Sequence, residues 1–201
     1  MKKYHLIILL LLVCSSIFSQ IIKIENGLSY SSMDSKKFSM LGENITNYSF
    51  LAGCDYFDHK FYYISSEIGF IQIGGKETKV PTSNNALIDL QDTWQYIHLN
   101  TTLRLKYQYK ESHVFVGIGP KLDVLVSSNK FTDAIYAGGY EMNKFAAGCK
   151  GEIGIAQDIN KIRLGLNYSY LLNFGGVGKS IYNNVSNKTS TVMFSIGYRF
   201  K

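Results

Sequence analysis

The ten residues before the terminal lysine restrict the fold more than any other stretch of the chain. This segment, 191–200, reads TVMFSIGYRF. Successive side chains of a strand point to opposite faces, so its alternation of large apolar residues with small or charged ones predicts one continuous apolar face. Ten residues are also about the length at which a tilted strand crosses a bilayer. The apolar face carries Val192, Phe194, Ile196, Tyr198 and Phe200.

The same alternation recurs in seven earlier segments, which we predict to be strands. They are 22–32, 45–56, 61–73, 93–109, 114–126, 145–155 and 162–172. The connections between the eight segments alternate strictly between long polar stretches and short turns. The long stretches are 33–44, 74–92, 127–143 and 173–190. Pro120 falls on the apolar face of the fifth segment, where its missing N–H predicts a bulge.

An even number of strands joined alternately by long loops and short turns is typical of outer-membrane barrels. In lipid every backbone polar group must be paired, and a closed antiparallel sheet achieves this. The predicted fold is therefore all-β: a single eight-stranded antiparallel up-and-down transmembrane β-barrel that follows a cleaved signal peptide. A soluble sandwich or lipocalin-like barrel is the alternative, and it would carry its apolar face inside.

The first 19 residues have the pattern of a secretory signal peptide. Lys2 and Lys3 precede the apolar run 6–13, and mostly small residues lead to Gln20. Cleavage after Ser19 or Gln20 fits best and leaves a barrel domain of 20–201. A membrane anchor would need roughly 20 apolar residues. Lipid attachment at Cys14 is disfavoured by the bulky residues before it.

The charge of the mature chain gives no support for nucleic-acid binding. Removing the signal peptide removes two lysines and no acidic residue, which lowers the formal net charge from +6 to +4. The remaining basic residues are dispersed rather than clustered in a patch. Cys54 and Cys149 fall on the apolar face of the second and sixth segments, far apart around the ring, so we expect no disulfide.

The face opposite the apolar one carries charges of both signs among glycines, and we predict that it lines the lumen, the space enclosed by the barrel. Eight strands leave a bore just wide enough for side chains to fill. We therefore expect a packed polar network and no wide aqueous channel. The predicted network comprises Glu67, Arg104, Lys106, Lys121, Asp123, Lys150, Glu152, Arg163 and Arg199, and Glu25 shares the face.

Several segments carry a family resemblance: YIHLNTTLRLKYQY at 96–109, VFVGIGPKLDVLV at 114–126, the signal ending FSQ and the C-terminal FSIGYRF. With these strands the mature chain resembles the small eight-stranded outer-membrane β-barrel family of Gram-negative bacteria, which has the shape of OmpA-type barrels. The resemblance implies an outer-membrane location and recognition by the barrel-assembly machinery through Gly197, Tyr198 and Phe200. Lys201 departs from the usual aromatic terminus. The family has no shared catalytic residues.

No constellation in the sequence predicts a catalytic, cofactor or metal site. The mature histidines, His59, His98 and His113, are not expected to converge on a metal ion. His98 is the candidate base for a lipid-modifying enzyme, but Asn100 occupies the place where a supporting serine would stand. No phosphate-binding loop, nucleophile elbow or HExxH motif is present.

We interpret the chain as a non-enzymatic outer-membrane barrel whose function lies in its long loops, with 74–92 and 133–140 as contact surfaces. Its expected partners are outer-membrane lipid, the assembly machinery and an unidentified loop-bound protein. One alternative is a small transport or hydrophobic-ligand-binding barrel that opens toward lipid near Pro120. A lipid-modifying enzyme and a component of a secretion or motility complex are the others.

Overall fold

The computed structural model describes residues 21–35, 41–81, 85–129, 140–180 and 184–200. The predicted signal peptide, 1–19, and Lys201 lie outside these ranges. None of the described residues forms a helix that is long and apolar enough to cross a membrane.

Ten antiparallel strands make up the described part of the chain, eight of them long and two of three residues. They are β1 Ile21–Ser35, β2 Ile45–Tyr56, β3 Tyr62–Pro81, β4 Leu87–Tyr109, β5 Ser112–Asn129, β6 Tyr140–Met142, β7 Phe145–Ile159, β8 Ile162–Asn173, β9 Gly178–Ser180 and β10 Asn184–Arg199. The short strands β6 and β9 extend the sheet beside the start of β10.

The eight long strands close into a ring, which confirms the predicted fold class. Each long strand pairs with the next one along the chain in the order β1-β2-β3-β4-β5-β7-β8-β10. The first strand then pairs with the last, from Ile21 opposite Arg199 to Ser35 opposite Val185. This ring leaves no unpaired edge along its wall, which is the requirement for crossing a bilayer.

The ring carries its apolar residues outside and its charges inside. Ile24 on β1 is 50% exposed, whereas its neighbour Glu25 is completely buried. On β4 Leu105 is 55% exposed and Arg104 only 2%. A barrel dissolved in water would have the opposite arrangement, so the lipocalin-like alternative is wrong.

The prediction of a loop at 74–92 is wrong, because most of this segment belongs to β3 and β4. β3 continues to Pro81 and β4 begins at Leu87, and the two pair from Gly74 opposite Thr93 to Pro81 opposite Leu87. The polar side chains of this segment suggest a loop, but above the membrane a strand can carry them in contact with water. Residues 184–190, also predicted as loop, likewise belong to β10.

The bulge predicted at Pro120 is also absent. The β4–β5 register is the same on either side of it, because Asn100 pairs with Lys121 and Leu103 with Ile118. Pro120 has no N–H to give to β4, so it interrupts the ladder without shifting it. The irregularity of this strand pair lies farther out, between Gln95 and Tyr96.

The outer end of the lumen is filled by apolar side chains, a feature that the alternation of the strands does not predict. Leu90 and Trp94 on β4 are completely buried, and Leu41 and Val177 reach the cluster from the connections. We call this cluster the apolar plug. Its members are Met33, Leu41, Leu51, Ile71, Ile73, Leu90, Trp94, Tyr96, Met142, Ala146, Leu171, Val177, Val185 and Met193.

Replacing Trp94 by alanine should loosen the extended β3–β4 hairpin without opening the barrel wall. The substitution leaves a cavity in the apolar plug, with a local cost of about 3–5 kcal/mol. Hydrogen–deuterium exchange should therefore accelerate in 87–96 and stay unchanged in β7. Trp94→Phe, which retains most of the packing, is the control, and unchanged exchange in Trp94→Ala would contradict the role given to the plug.

Candidate functional site

Charged side chains from four strands meet at the middle of the lumen. Each lies on the inward phase of its strand, and each is at least 93% buried. We call this group the central layer. It contains three basic and three acidic described residues: Lys23, Arg104, Lys150, Glu25, Glu67 and Glu152.

Glu67 on β3 is the hub of the central layer. Its carboxylate lies 2.6 Å from the Nζ of Lys23, from Nη2 of Arg104 and from the Nζ of Lys150. Asn100 donates a further hydrogen bond of 3.1 Å to Oε2. Strands β1, β3, β4 and β7 are thereby joined through one carboxylate.

Glu152 and Glu25 complete the neutralisation of the three cations. Arg104 donates from Nε to Oε1 of Glu152 at 2.6 Å and from Nη2 to Oε2 at 2.9 Å. Such a bidentate pair fixes the guanidinium in orientation as well as in place. Lys23 donates to Glu25 at 2.6 Å, and Lys150 lies 3.1 Å from Glu152. A buried charge without a partner destabilises the folded state. The equal numbers of acidic and basic side chains avoid this penalty in the central layer.

A second cluster closes the end of the lumen that carries the short turns, which is the periplasmic end in barrels of this kind. Arg163 is at its centre, 3.4 Å from Asp55, 3.0 Å from Asp58 and 2.7 Å from Asp158. Arg199 lies 2.8 Å from Asp158. We call this group, together with Lys106, the periplasmic cluster; it too has three basic and three acidic members.

Asp58 stands in the turn between β2 and β3, outside the membrane-spanning segments. Burial alone would raise the pKa of its carboxyl. The hydrogen bond that Lys106 donates and the charge of Arg163 outweigh this effect and lower the pKa below its usual value. Asp58 is therefore held as a carboxylate that secures two cations at the mouth of the barrel.

The space between the two clusters is small. A cavity of about 10 Å³ is lined by Asp55, Tyr63, Arg104 and Arg163, among others. This is about the space that one water molecule needs. The described side chains therefore fill the bore here, as the narrow diameter of an eight-stranded barrel requires.

A third, smaller group lies between the central layer and the apolar plug. Nδ1 of His98 is 2.5 Å from Oδ1 of Asp123, and Lys121 contacts the same carboxylate. Lys121 also donates to Oδ1 of Asn173 at 2.6 Å. His98 is completely buried, and among the described residues its Nε2 has no hydrogen-bond partner.

The three mature histidines lie apart. His59 is in an exposed turn beside Tyr62, with ring centroids 4.8 Å apart. His113 is buried in the lumen near the periplasmic end, where its ring lies 5.8 Å from that of Tyr63. The described part of the chain contains no group of His, Cys, Asp and Glu side chains that could hold a metal ion.

The structure distributes the nine predicted network residues over all three groups. The central layer takes Glu67, Arg104, Lys150 and Glu152, the periplasmic cluster takes Lys106, Arg163 and Arg199, and the outer group takes Lys121 and Asp123. The predicted network does not include Lys23, Asp55, Asp58 or Asp158. The first two stand in the inward phase of their strands and could have been found, whereas Asp58 lies in a turn, where alternation gives no signal.

The three residues predicted as an assembly signal lie at the end of β10. Gly197 faces inward, and a Cβ there would come within 2.6 Å of Cγ2 of Ile21. Tyr198 and Phe200 face outward, 46% and 57% exposed, with their rings edge to face at 5.2 Å. Close packing at the β1–β10 seam thus gives Gly197 a structural role in the folded barrel.

Comparison with solved structures agrees with this geometry. The outer membrane protein OprG from Pseudomonas aeruginosa superposes with a TM-score of 0.57 at 10% identity, over 92% of this chain and 97% of that one. The chain has the fold of a small eight-stranded outer-membrane β-barrel. Neisserial surface protein A gives a TM-score of 0.55 at 11% identity, over 89% of this chain and 97% of the other. No protein-family model matches the sequence, and no curated protein is significantly similar to it.

The outer-membrane barrel fold accounts for both faces of the wall. A band of exposed Ile, Leu, Val, Phe and Tyr side chains surrounds the closed sheet. A lipid bilayer covers such a band and so avoids the free-energy penalty of exposing it to water. The charged side chains face away from that lipid, into the lumen. The chain is an integral outer-membrane protein.

Replacing Glu67 by glutamine should destabilise the barrel by about 3–5 kcal/mol. The change removes one of three carboxylates and leaves an uncompensated positive charge in the central layer. Thermal unfolding in detergent, followed by far-ultraviolet circular dichroism, measures the effect.

Removing a cation as well should restore much of that loss. The double variant Glu67→Gln/Lys150→Met returns the central layer to charge balance, so it should unfold at a higher temperature than Glu67→Gln alone. Lys144→Met, on the exposed outer side, is the matched control for the loss of a lysine. Additive effects of the two lumen substitutions would contradict the coupling proposed here.

Asp58→Asn should lower the stability of the periplasmic cluster by about 2 kcal/mol at neutral pH, because Lys106 and Arg163 lose a charged acceptor. A carboxyl with a lowered folded-state pKa stabilises the protein above its unfolded pKa and loses this effect as the pH falls through the folded value. The difference in unfolding temperature between wild type and Asp58→Asn should therefore shrink on acidification below the usual Asp value of 3.8. A difference that grows on acidification would refute the assignment.

Proposed function

We propose that this protein is a non-enzymatic outer-membrane barrel with a sealed lumen, and that its specific function lies on the extracellular hairpins. The observation that carries the proposal is the double closure of the bore. The central layer and the periplasmic cluster block it with paired charges, and the apolar plug blocks it again toward the outside. A solute would have to break both barriers to pass.

The β3–β4 hairpin offers a stiff extracellular surface. Beyond the membrane-spanning part, its backbone pairs with the β1–β2 connection through Glu43 and Lys76, by two hydrogen bonds of 3.0 and 3.1 Å. The hydroxyl of Thr78 donates to Glu43 at 2.6 Å, which lowers the pKa of that carboxyl. A hairpin held in this way costs little entropy to order when a partner binds. The other predicted contact surface, 133–140, lies outside the described residues except for the backbone of Tyr140.

The arrangement around His98 supports the non-enzymatic part of the proposal. Asp123 orients the imidazole as an acid orients the base of a catalytic triad. A nucleophilic hydroxyl would have to adjoin Nε2, and none of the described residues supplies one. His98 is also completely buried above the central layer, where an external lipid could not reach it.

The barrel-assembly machinery and outer-membrane lipid remain the partners that we infer for biogenesis. The exposed aromatic rings of Tyr198 and Phe200, on the strand that closes the ring, support recognition of this segment before closure. The hairpin surface would then serve an extracellular protein partner.

Planar-bilayer recording of the purified, refolded barrel tests the sealed lumen. We expect no large, steady conductance for the wild type, because both barriers must open together for ions to pass. The paired variant Glu67→Gln/Trp94→Ala, which weakens the two barriers, should show more frequent openings than either single variant. Large steady currents through the wild-type barrel would overturn the proposal.

A second candidate function, binding of a small hydrophobic ligand, is favoured by a groove on the lipid-facing wall. The groove measures about 540 Å³ and lies where Pro120 interrupts the β4–β5 ladder. Small side chains line it beside the aliphatic side chains of Ile68, Leu99 and Leu122, and the hydroxyls of Ser66 and Thr101 meet at 2.9 Å within it. Asn100 and Lys121, which belong to the lumen, also line it.

Filling that groove decides between the two candidates. Ser66→Leu should abolish saturable binding of a fluorescent fatty acid if the groove is a ligand site, whereas Val116→Leu, elsewhere on the lipid-facing wall, should not. The sealed-barrel proposal predicts that no saturable binding to the wild type depends on this groove. Saturable binding that Ser66→Leu removes would establish the second function.

A further inference from the structure

We propose that the periplasmic rim between β4 and β10 binds one anionic glycerophospholipid of the inner leaflet, independently of what the extracellular hairpins do. The site joins a groove on the outer wall to two lysines in the adjacent turns. The groove measures about 540 Å³ and is separate from the one beside Pro120.

The floor of the groove is apolar and faces lipid. It follows a row of paired residues across the sheet, in which Val114 stands opposite Ile155 and Ile155 opposite Leu166. These three side chains are 48–56% exposed. Tyr107, paired with Val114, and Phe194, paired with Leu166, stand at the two ends of the row. Two aromatic walls around an aliphatic floor give a channel suited to an acyl chain.

The next row toward the periplasm is polar at its centre. Ser112 pairs with Gln157, and both are exposed and line the groove. Tyr109, paired with Ser112, continues the aromatic wall. The change from aliphatic to polar side chains marks the depth at which an acyl chain gives way to the glycerol and ester groups of a lipid.

Two exposed lysines lie in the turns beyond this polar row. Lys110 is in the turn between β4 and β5, where its Nζ lies 5.7 Å from the centre of the Tyr109 ring. Lys161 is in the turn between β7 and β8. The N–H of Asp158 donates to the carbonyl of Glu111 at 2.8 Å and so joins the two hairpins.

The charge of these turns selects an anionic headgroup. Residues 110–111 and 160–161 contain two lysines and one acidic residue, Glu111. Asp158 faces inward, where Arg163 and Arg199 neutralise it. Basic side chains at the headgroup level favour anionic lipids by electrostatic attraction, and each is worth about a fivefold change in affinity.

Native mass spectrometry of the full refolded barrel tests this site with dioleoylphosphatidylglycerol, and with dioleoylphosphatidylcholine as the neutral probe. We expect the wild type to retain one phosphatidylglycerol in preference to phosphatidylcholine. The variant Lys110→Gln/Lys161→Gln should lose about fivefold in phosphatidylglycerol affinity for each lysine. The control Lys144→Gln/Lys188→Gln, with the same charge change at the outer end, should bind like the wild type.

Filling the groove tests the acyl-chain part of the site without altering charge. Val114→Trp, on the lipid-facing wall, should reduce retention of phosphatidylglycerol while leaving strand content and unfolding temperature unchanged. Equal retention of the two lipids by the wild type, or equal losses in the periplasmic and outer lysine variants, would overturn the proposal. So would undiminished binding by Val114→Trp.

Discussion

The pairing of the first strand with the last is the constraint on which the rest of this structure depends. Fifteen residue pairs join β1 to β10 and turn an eight-stranded sheet into a ring. An open sheet could not cross a bilayer, because its edge strands would expose unpaired N–H and C=O groups to hydrocarbon. The close approach of Gly197 to Ile21 shows that the seam is also tightly packed on its inner side.

Closure then dictates the chemistry of the interior. The outer face must be apolar for lipid, so the alternate residues point into a bore that only side chains can fill. Charges are tolerable there if they are neutralised at short range. The central layer and the periplasmic cluster each contain equal numbers of acidic and basic side chains, and Asp55 connects them by contacting Lys23 at 3.3 Å and Arg163 at 3.4 Å. Farther out, where the hairpins leave the membrane, apolar residues replace the ion pairs.

Alternation made the wall predictable, because each strand must present one face to lipid throughout its length in the membrane. It could not predict the hairpin beyond Gly74, since outside the bilayer both faces of a strand may be polar. Nor could it predict the apolar plug, because the burial of Trp94 depends on its tertiary neighbours. The inward phase of Glu67 and Lys150 was readable, but their contact was not, because it joins residues 83 positions apart on strands that are not neighbours in the sheet. Asp58 could not be assigned from the sequence either, because it lies in a turn, where side chains do not alternate between two faces.

The most direct test of a closed membrane barrel is the migration of the mature chain on a denaturing gel, with and without boiling, after refolding in detergent. A closed ring of paired strands should resist the detergent when cold and migrate differently after boiling, and its far-ultraviolet circular dichroism should be that of β-strands. A chain that dissolves in water without detergent and migrates identically under both conditions would contradict the account.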